Sequence, residues 1–286
     1  MPKKEIQLDT EAKNTWCPGC GNFGIMSALK SSISSLVEGG LKKENLVLVS
    51  GIGCGSKIID YMNINTLSAL HGRPIASAQG VKLGNPELTV IVSTGDGGAY
   101  NEGISHLIHA AKRNIDITVL VHDNRLFALT TGQFTATSPE GFKGRSTPEG
   151  NVEEPFDPLE LMIASGATFI ARGYALRNSH LQDLIKKAVN HKGFSFVEIL
   201  QPCITFFNAI EFYNQRVYEM KSVPGSKDEA LLKIKEWNYE NKEDDEKIPL
   251  GVFYDINKPA YEKEALFGLN PSKDKKKVNL NNFLKE

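Results

Sequence analysis

Residues 88–124, LTVIVSTGDGGAYNEGISHLIHAAKRNIDITVLVHDN, hold a strand, a glycine turn, a helix and a second strand in one run. LTVIVS (88–93) and IDITVLV (115–121) are continuous apolar, β-branched runs, as expected of strands buried on both faces. Between them Ile104, Leu107, Ile108 and Ala111 recur at helical spacing and share one face. Working outward, LVLVS (46–50), TFIARG (168–173) and FSFVEIL (194–200) repeat the strand pattern. A helix is expected over Phe23–Val37, where Ile25, Leu29, Ile33 and Leu36 form a stripe that Gly39-Gly40 stops. SHLQDLIKKAVNHK (179–192) supplies another helix between the last two strands. The fold class is therefore α/β: a parallel sheet with helices on both faces.

This domain is expected to span residues 1–210. Residues 211–286 form a charged, aromatic C-terminal extension with NKEDDEK (241–247) and KDKKK (273–277), expected to pack on the domain or on a partner. Residues 127–156, FALTTGQFTATSPEGFKGRSTPEGNVEEPF, are Thr/Gly/Pro-rich with little periodicity, which points to a functional or mobile loop. No internal repeat is visible.

At 286 residues the chain can bury a real core, and 33 Lys+Arg against 34 Asp+Glu give no charge for nucleic acid or a membrane surface. No apolar run approaches the roughly 20 residues of a membrane span. The start, MPKKEIQLDTEAKN, has no apolar signal segment, so a cytosolic protein is expected. Four cysteines in such a setting point to metal ligands, catalytic groups or free thiols before disulfides.

The chemistry gathers where the strands end. LVLVS runs into GIGCGSK (51–57), LTVIVS into TGDGG (94–98), IDITVLV into HDN (122–124) and FSFVEIL into QPC (201–203). In open parallel sheets that carboxyl edge is where ligands bind. Gly95, Gly97 and Gly98 can present amides to an anion at the start of the next helix. Asp96 is a hard oxygen ligand, and Asn124, 28 residues on, brings an amide oxygen to the same edge. With a backbone carbonyl, phosphate oxygens and water these complete the octahedral shell that Mg²⁺ prefers. The other reading of the same residues is a plain turn with Asp96 as helix N-cap. No Ser-His-Asp arrangement or P-loop is visible. His106 and His109 read as helix-face residues and His122 as a strand-end residue.

GDG followed by Asn at this interval resembles the thiamine-diphosphate signature. The wider resemblance is to the beta subunit of 2-oxoacid:ferredoxin (2-oxoacid:acceptor) oxidoreductases, carried by WCPGCGNFGI (16–25), GIGCGSK (51–57), HGRPIASAQGVKLGNPEL (71–88), the GDG-to-HDN stretch (95–124) and LTTGQFTATSP (129–139). It covers about residues 15–205. The resemblance implies that Asp96, Asn124 and the carbonyl of Leu126 bind Mg²⁺. It implies thiamine diphosphate contacts from Ile52, Gly53, Cys54, Gly55, His71, Gly72, Arg73, Gly97, Gly98, Ala128 and Leu129. It places Lys57, whose ammonium suits a 2-oxoacid carboxylate, with Leu129 and Thr131 beside the reacting centre.

Five positions depart from the family pattern. Gly98 stands where Asp is frequent, and Thr131 where Lys or Gly is. Pro74 in HGRP and FAL (127–129) in place of Tyr-Gly-Leu are milder changes. Thr131 has neither the charge of lysine nor the freedom of glycine, which leaves substrate preference open.

The Cys-x-x-Cys pair, Cys17 and Cys20, could by itself be a redox dithiol, half a zinc site or half an iron–sulfur site. Cys54 and Cys203 are single cysteines in turns after strands, which fits a structural zinc site poorly and has no use in a dithiol. A [4Fe–4S] cluster takes four thiolates from any sequence distance, and the family resemblance implies the same set, Cys17, Cys20, Cys54 and Cys203.

The expected function is CoA-dependent oxidative decarboxylation of a 2-oxoacid with ferredoxin as acceptor. The activating glutamate and the coenzyme A surface would lie on a larger alpha subunit; Glu102, the nearest acid here, reads as a helix-start residue. The rivals are a non-oxidative thiamine-dependent decarboxylase subunit and a zinc-stabilised α/β binding module.

Overall fold

The computed structural model describes residues 6–239 and 247–274, so the expectations for 241–247 and 273–277 fall largely outside the described residues. Among the described residues the strands are β1 Leu46–Ser50, β2 Asn65–Ser68, β3 Thr89–Gly95, β4 Thr118–Asp123, β5 Leu126–Phe127, β6 Gln133–Phe134, β7 Phe169–Tyr174, β8 Ser195–Leu200, β9 Val217–Glu219 and β10 Ile248–Asp255. The α-helices are α1 Asn22–Glu38, α2 Pro74–Gly84, α3 Ile104–Arg113, α4 Pro158–Ser165, α5 Asn178–Asn190, α6 Ile210–Arg216, α7 Lys227–Ile234 and α8 Tyr261–Ala265.

One sheet runs β2-β1-β3-β4-β8-β7-β10-β9, and β5-β6 make a separate hairpin. The six strands from β2 to β7 are parallel, and all but the exposed edge strand β2 carry the apolar runs of strands buried on both faces. Successive residues go to opposite cores. Leu48, Ile91, Leu120 and Val197 join α1 and α5 on one face. Val49, Val92, Val121 and Phe196 join α2, α3, α4 and α7 on the other. Burial on both sides is why these runs are continuous and not alternating. The stripe Ile25, Leu29, Ile33 is fully buried, and α1 stops at Gly39, whose amide returns to the carbonyl of Ser35 at 3.0 Å.

The segment after residue 211 enters the sheet. β10 lies antiparallel beside β7, with its register shifted between Val252 and Tyr254, and β9 pairs parallel with β10. The sheet is therefore mixed, mostly parallel. IPLGVFYD (248–255) carries this strand, but the flanking charged runs and the Pro and Gly inside it mask the signal. Trp237 and Tyr239 stack at 4.1 Å and join Tyr174, Tyr213 and Leu250 in a third core beyond the ends of β7 and β8. Under this core the Arg172 Nε donates to Glu198 Oε2 at 2.7 Å, and the Tyr239 hydroxyl donates to the same carboxylate at 2.6 Å; all three side chains are fully buried.

Candidate active site

The carboxyl ends of β1, β3 and β4 and the β5-β6 hairpin border one cleft. It gathers Ile52, Gly53, Cys54 and Gly55 from the first turn and Asp96, Gly97 and Gly98 from the second. His71, Gly95, Asn124, Leu126, Ala128 and Leu129 complete it, together with Phe127 and Thr130, which stand inside the span of the family resemblance although it implies no contact for them.

After Asp96 the chain makes a π-type turn, Gly97–Asn101, in which the Glu102 amide reaches back to the Gly97 carbonyl at 3.3 Å. Packing sets the residue types here. A Cβ on Gly97 would run into the Phe127 ring, and one on Gly98 would lie 2.8 Å from Thr94 Oγ1.

The Asp96 side chain does not cap this turn, so the plain N-cap reading is not what forms. It is buried, accepts a hydrogen bond from Thr135 Oγ1 at 2.6 Å, and burial pushes its carboxyl up to about 7 against the opposing Thr135 hydroxyl and nearby amides. Asp123 lies close by. Its Oδ1 accepts from the Arg125 amide (3.0 Å) and Thr137 Oγ1 (2.8 Å), and its Oδ2 is buried with no hydrogen-bond partner. Burial raises the Asp123 carboxyl well above the ordinary range, and the charges of Asp96 and Glu198 add to the effect. Asn124 Oδ1 accepts from the Leu126 amide at 3.3 Å, which folds the turn so that both residues border the cleft. Asp96, a buried carboxyl resisting ionisation in the cleft wall, is the electrostatic setting that a cation relieves, whereas Asp123 does not border the cleft. A carboxylate, an amide oxygen and a main-chain carbonyl are a donor set for a hard divalent ion.

His71 Nδ1 stands 3.3 Å from Glu102 Oε2, with the ring tilted 5.8 Å from Phe127. Gly72 and Arg73 lie behind the lining. Gly72 packs on Glu102, and Arg73 points to His106 Nε2 at 2.6 Å. Lys57 is not part of the lining; it donates to Thr15 Oγ1 at 3.1 Å and its charge acts on Cys54. Thr131 is exposed next to the cleft at φ +76°, and its hydroxyl accepts from Arg145 Nη1 at 2.7 Å. A cation thus stands over position 131 although its own side chain carries none.

The four thiols share one neighbourhood. Burial pushes Cys54 up to about 11; Lys57 opposes this, while Cys20, Cys203 and Cys17 each add to it. Cys20 is raised as well, by burial and then by Cys203 and Cys17, with Asn22 opposing. Gln201 Nε2 donates to Cys20 Sγ at 3.6 Å and Thr205 Oγ1 to Cys17 Sγ at 3.5 Å. Among the described residues no three His, Cys, Asp or Glu side chains converge tightly enough to hold a single metal ion.

The family described as "Thiamine pyrophosphate enzyme, C-terminal TPP binding domain" matches residues 51–199, over half of the chain. The C-terminal family of the pyruvate ferredoxin oxidoreductase beta chain matches residues 203–266. The protein is 41% identical over 280 residues to the 2-oxoacid:ferredoxin oxidoreductase 1 subunit beta of Aeropyrum pernix, covering 92% of this chain and 84% of that one. The chain belongs to the beta-subunit family of the 2-oxoacid:ferredoxin oxidoreductases. It is also 41% identical to the 2-oxoglutarate synthase subunit KorB of Methanothermobacter thermautotrophicus, covering 86% of this chain and 84% of that one. A solved 2-oxoglutarate:ferredoxin oxidoreductase from Magnetococcus marinus, with 2-oxoglutarate, coenzyme A and succinyl-CoA bound, superposes with TM-score 0.85 at 30% identity. The match covers 97% of this chain and 93% of that one.

As a beta subunit the protein is one part of an enzyme complex and carries its thiamine-diphosphate-binding domain. The cleft described above lies inside that matched domain, and the strands β9 and β10 inside the C-terminal match. No described helix is long and apolar enough to cross a membrane.

Proposed function

We propose that this beta subunit supplies the cofactor half of an active site that converts a 2-oxoacid and coenzyme A to acyl-CoA and CO₂. Two electrons per turnover would go to ferredoxin. The single observation carrying this reading is the junction of the Asp96–Asn124–Leu126 oxygen donors with Cys54 in one cleft. Asp96, Asn124 and the Leu126 carbonyl would hold Mg²⁺, and the amides around Gly97 and Gly98 would face the diphosphate. Thiamine diphosphate, when bound, supplies the carbanion chemistry that decarboxylation of a 2-oxoacid needs. Lys57, anchored on Thr15, would attract the substrate carboxylate, with Leu129 and Thr131 at the mouth. Cys17, Cys20, Cys54 and Cys203 would hold a [4Fe–4S] cluster that carries the electrons outward. Four thiols that act on one another, two of them single cysteines far apart in sequence, support a multi-iron cluster over a structural zinc ion.

The cleft mouth supports a partner. Ile52, Leu70 and Leu129 are 49%, 77% and 43% exposed around it. A larger alpha subunit seated there would bring the activating glutamate and the coenzyme A surface. Glu102 does not serve as that glutamate, because its carboxylate is engaged with His71. 2-Oxoglutarate is the first substrate to try, since similar proteins are named for it.

The test is anaerobic purification with the partner subunit, iron and thiamine analysis, and a 2-oxoacid panel scored for CoA-dependent ferredoxin reduction. About four irons per chain and acyl-CoA formation are expected. An iron-free chain that releases CO₂ without reducing an acceptor would establish the non-oxidative decarboxylase instead. Zinc without thiamine diphosphate would establish the binding module.

A further inference from the structure

Between Asn124 and Leu126 stands a residue that neither borders the cleft nor reaches solvent. Arg125 is fully buried and adopts φ +62°, a conformation that a side chain with a Cβ disfavours. Its main chain is held on both sides: its amide donates to Asp123 Oδ1 at 3.0 Å, and its carbonyl accepts from Ser138 Oγ. The side chain then turns away from the cleft. Nε donates to the Thr137 carbonyl at 2.6 Å and Nη2 to the Tyr239 carbonyl, while the guanidinium lies 5.6–5.8 Å from the rings of Phe207, Trp237 and Tyr239. Tyr239 itself is fixed, because its hydroxyl sits between Arg172 Nη2 (2.7 Å) and the Glu198 carboxylate.

We infer that Arg125 is a positioning residue through which the C-terminal segment sets the metal turn. This rests on the proposed cation site at Asp96, Asn124 and Leu126. A left-handed residue in the middle of the turn aims its two neighbours at the same side, and that geometry persists only where the surroundings impose it. Here the imposing groups are two main-chain carbonyls and an aromatic box, much of it supplied from beyond β8. The C-terminal segment thereby acquires a role in the cleft without touching it. Without the guanidinium the turn can relax toward negative φ, and the Leu126 carbonyl and Asn124 amide oxygen lose their common aim.

The experiment uses the full chain purified with its partner subunit. Thiamine diphosphate affinity is measured by calorimetry over a range of Mg²⁺ concentrations, for wild type, Arg125→Met and Arg125→Lys. Methionine fills the box without donors, and lysine keeps the charge but cannot span both carbonyls. Both variants are expected to weaken cofactor binding by about tenfold to a hundredfold and to raise the Mg²⁺ concentration for half-saturation by a similar factor. Iron content should stay at the wild-type level. A residue that only stabilises the fold would lower the melting temperature and leave the Mg²⁺ half-saturation unchanged, which overturns the inference. If Arg125→Met does not fold, the same measurement on Arg125→Lys decides. Mg²⁺-independent cofactor binding by wild type would instead remove the underlying cation site, and that is visible before any variant is compared.

Discussion

Gly97→Ala tests the packing of the cleft wall. Gly97 has no positive φ, so alanine is acceptable to the backbone and only its Cβ matters. That atom would stand 2.6 and 2.7 Å from two Phe127 ring carbons, with a third closer still, where ordinary contact is 3.4–4 Å. The ring must retreat by about 1 Å, and overpacking of this kind costs about 1–3 kcal/mol. The very close approach puts the cost at the upper end, about 2–3 kcal/mol; alanine's better helical propensity returns about 1 kcal/mol, which leaves a net loss of about 1–2 kcal/mol and a melting shift of roughly 2–8 °C. The retreating ring moves along a wall shared with His71 and Ala128, so thiamine diphosphate affinity should fall about tenfold, the equivalent of 1.4 kcal/mol. Thermal unfolding and calorimetric titration of Gly97→Ala, Phe127→Leu and the double variant give a full cycle. The double variant should recover most of the loss, with a coupling of about 1 kcal/mol or more. Wild-type stability and affinity in Gly97→Ala, or strict additivity in the cycle, would refute the ring as the cause.

Two further outcomes concern other parts of the molecule. Glu198→Gln leaves the buried Arg172 guanidinium without its carboxylate and should destabilise the chain by about 3–5 kcal/mol in urea unfolding; a loss under about 1 kcal/mol would show that Tyr239 and the surrounding rings suffice. Cys203→Ala should lower iron content and visible absorbance in anaerobically purified complex while thiamine diphosphate binding persists, and unchanged iron would remove Cys203 as a ligand.

The strands and the cleft were legible in the sequence for one reason. Both depend on local patterns: double-sided burial writes continuous apolar runs, and the runs end in glycine, acid and amide. What stayed hidden acts across long sequence separations. Thr135 reaches Asp96 over 39 residues, and nothing about a threonine in FTATSP announces a carboxylate partner. Nothing local marks Arg125 as buried, because the aromatic box around it is built mainly by Phe207, Trp237 and Tyr239. β10 was hidden because its neighbours in sequence are charged, whereas its neighbour in space, β7, is already buried. Position 131 shows the same limit: the sequence displays a threonine, and the fold brings Arg145 over it.

The cysteines and the oxygen donors are also joined behind the cleft. His122 lies two residues before Asn124 on β4, and a Cβ on Gly55, next to Cys54, would come within 2.9 Å of its ring. The ring's other contacts run to Asn22 Oδ1 at 2.8 Å and Ser93 Oγ at 3.0 Å. The Asn22 backbone opposes the upward shift of Cys20 while its side chain meets His122, so one buried residue links the N-terminal cysteine pair to the strand that carries the metal turn. Trp16 Nε1, donating to the Cys54 carbonyl at 2.7 Å, closes the link from the other side. Burial pushes His122 down to about 4. A thiol set and an oxygen set mounted on one packed wall keep a fixed separation when surrounding loops move. Fixed separation in a low-dielectric wall is what electron exchange between two neighbouring groups requires, since little needs to reorganise when charge shifts.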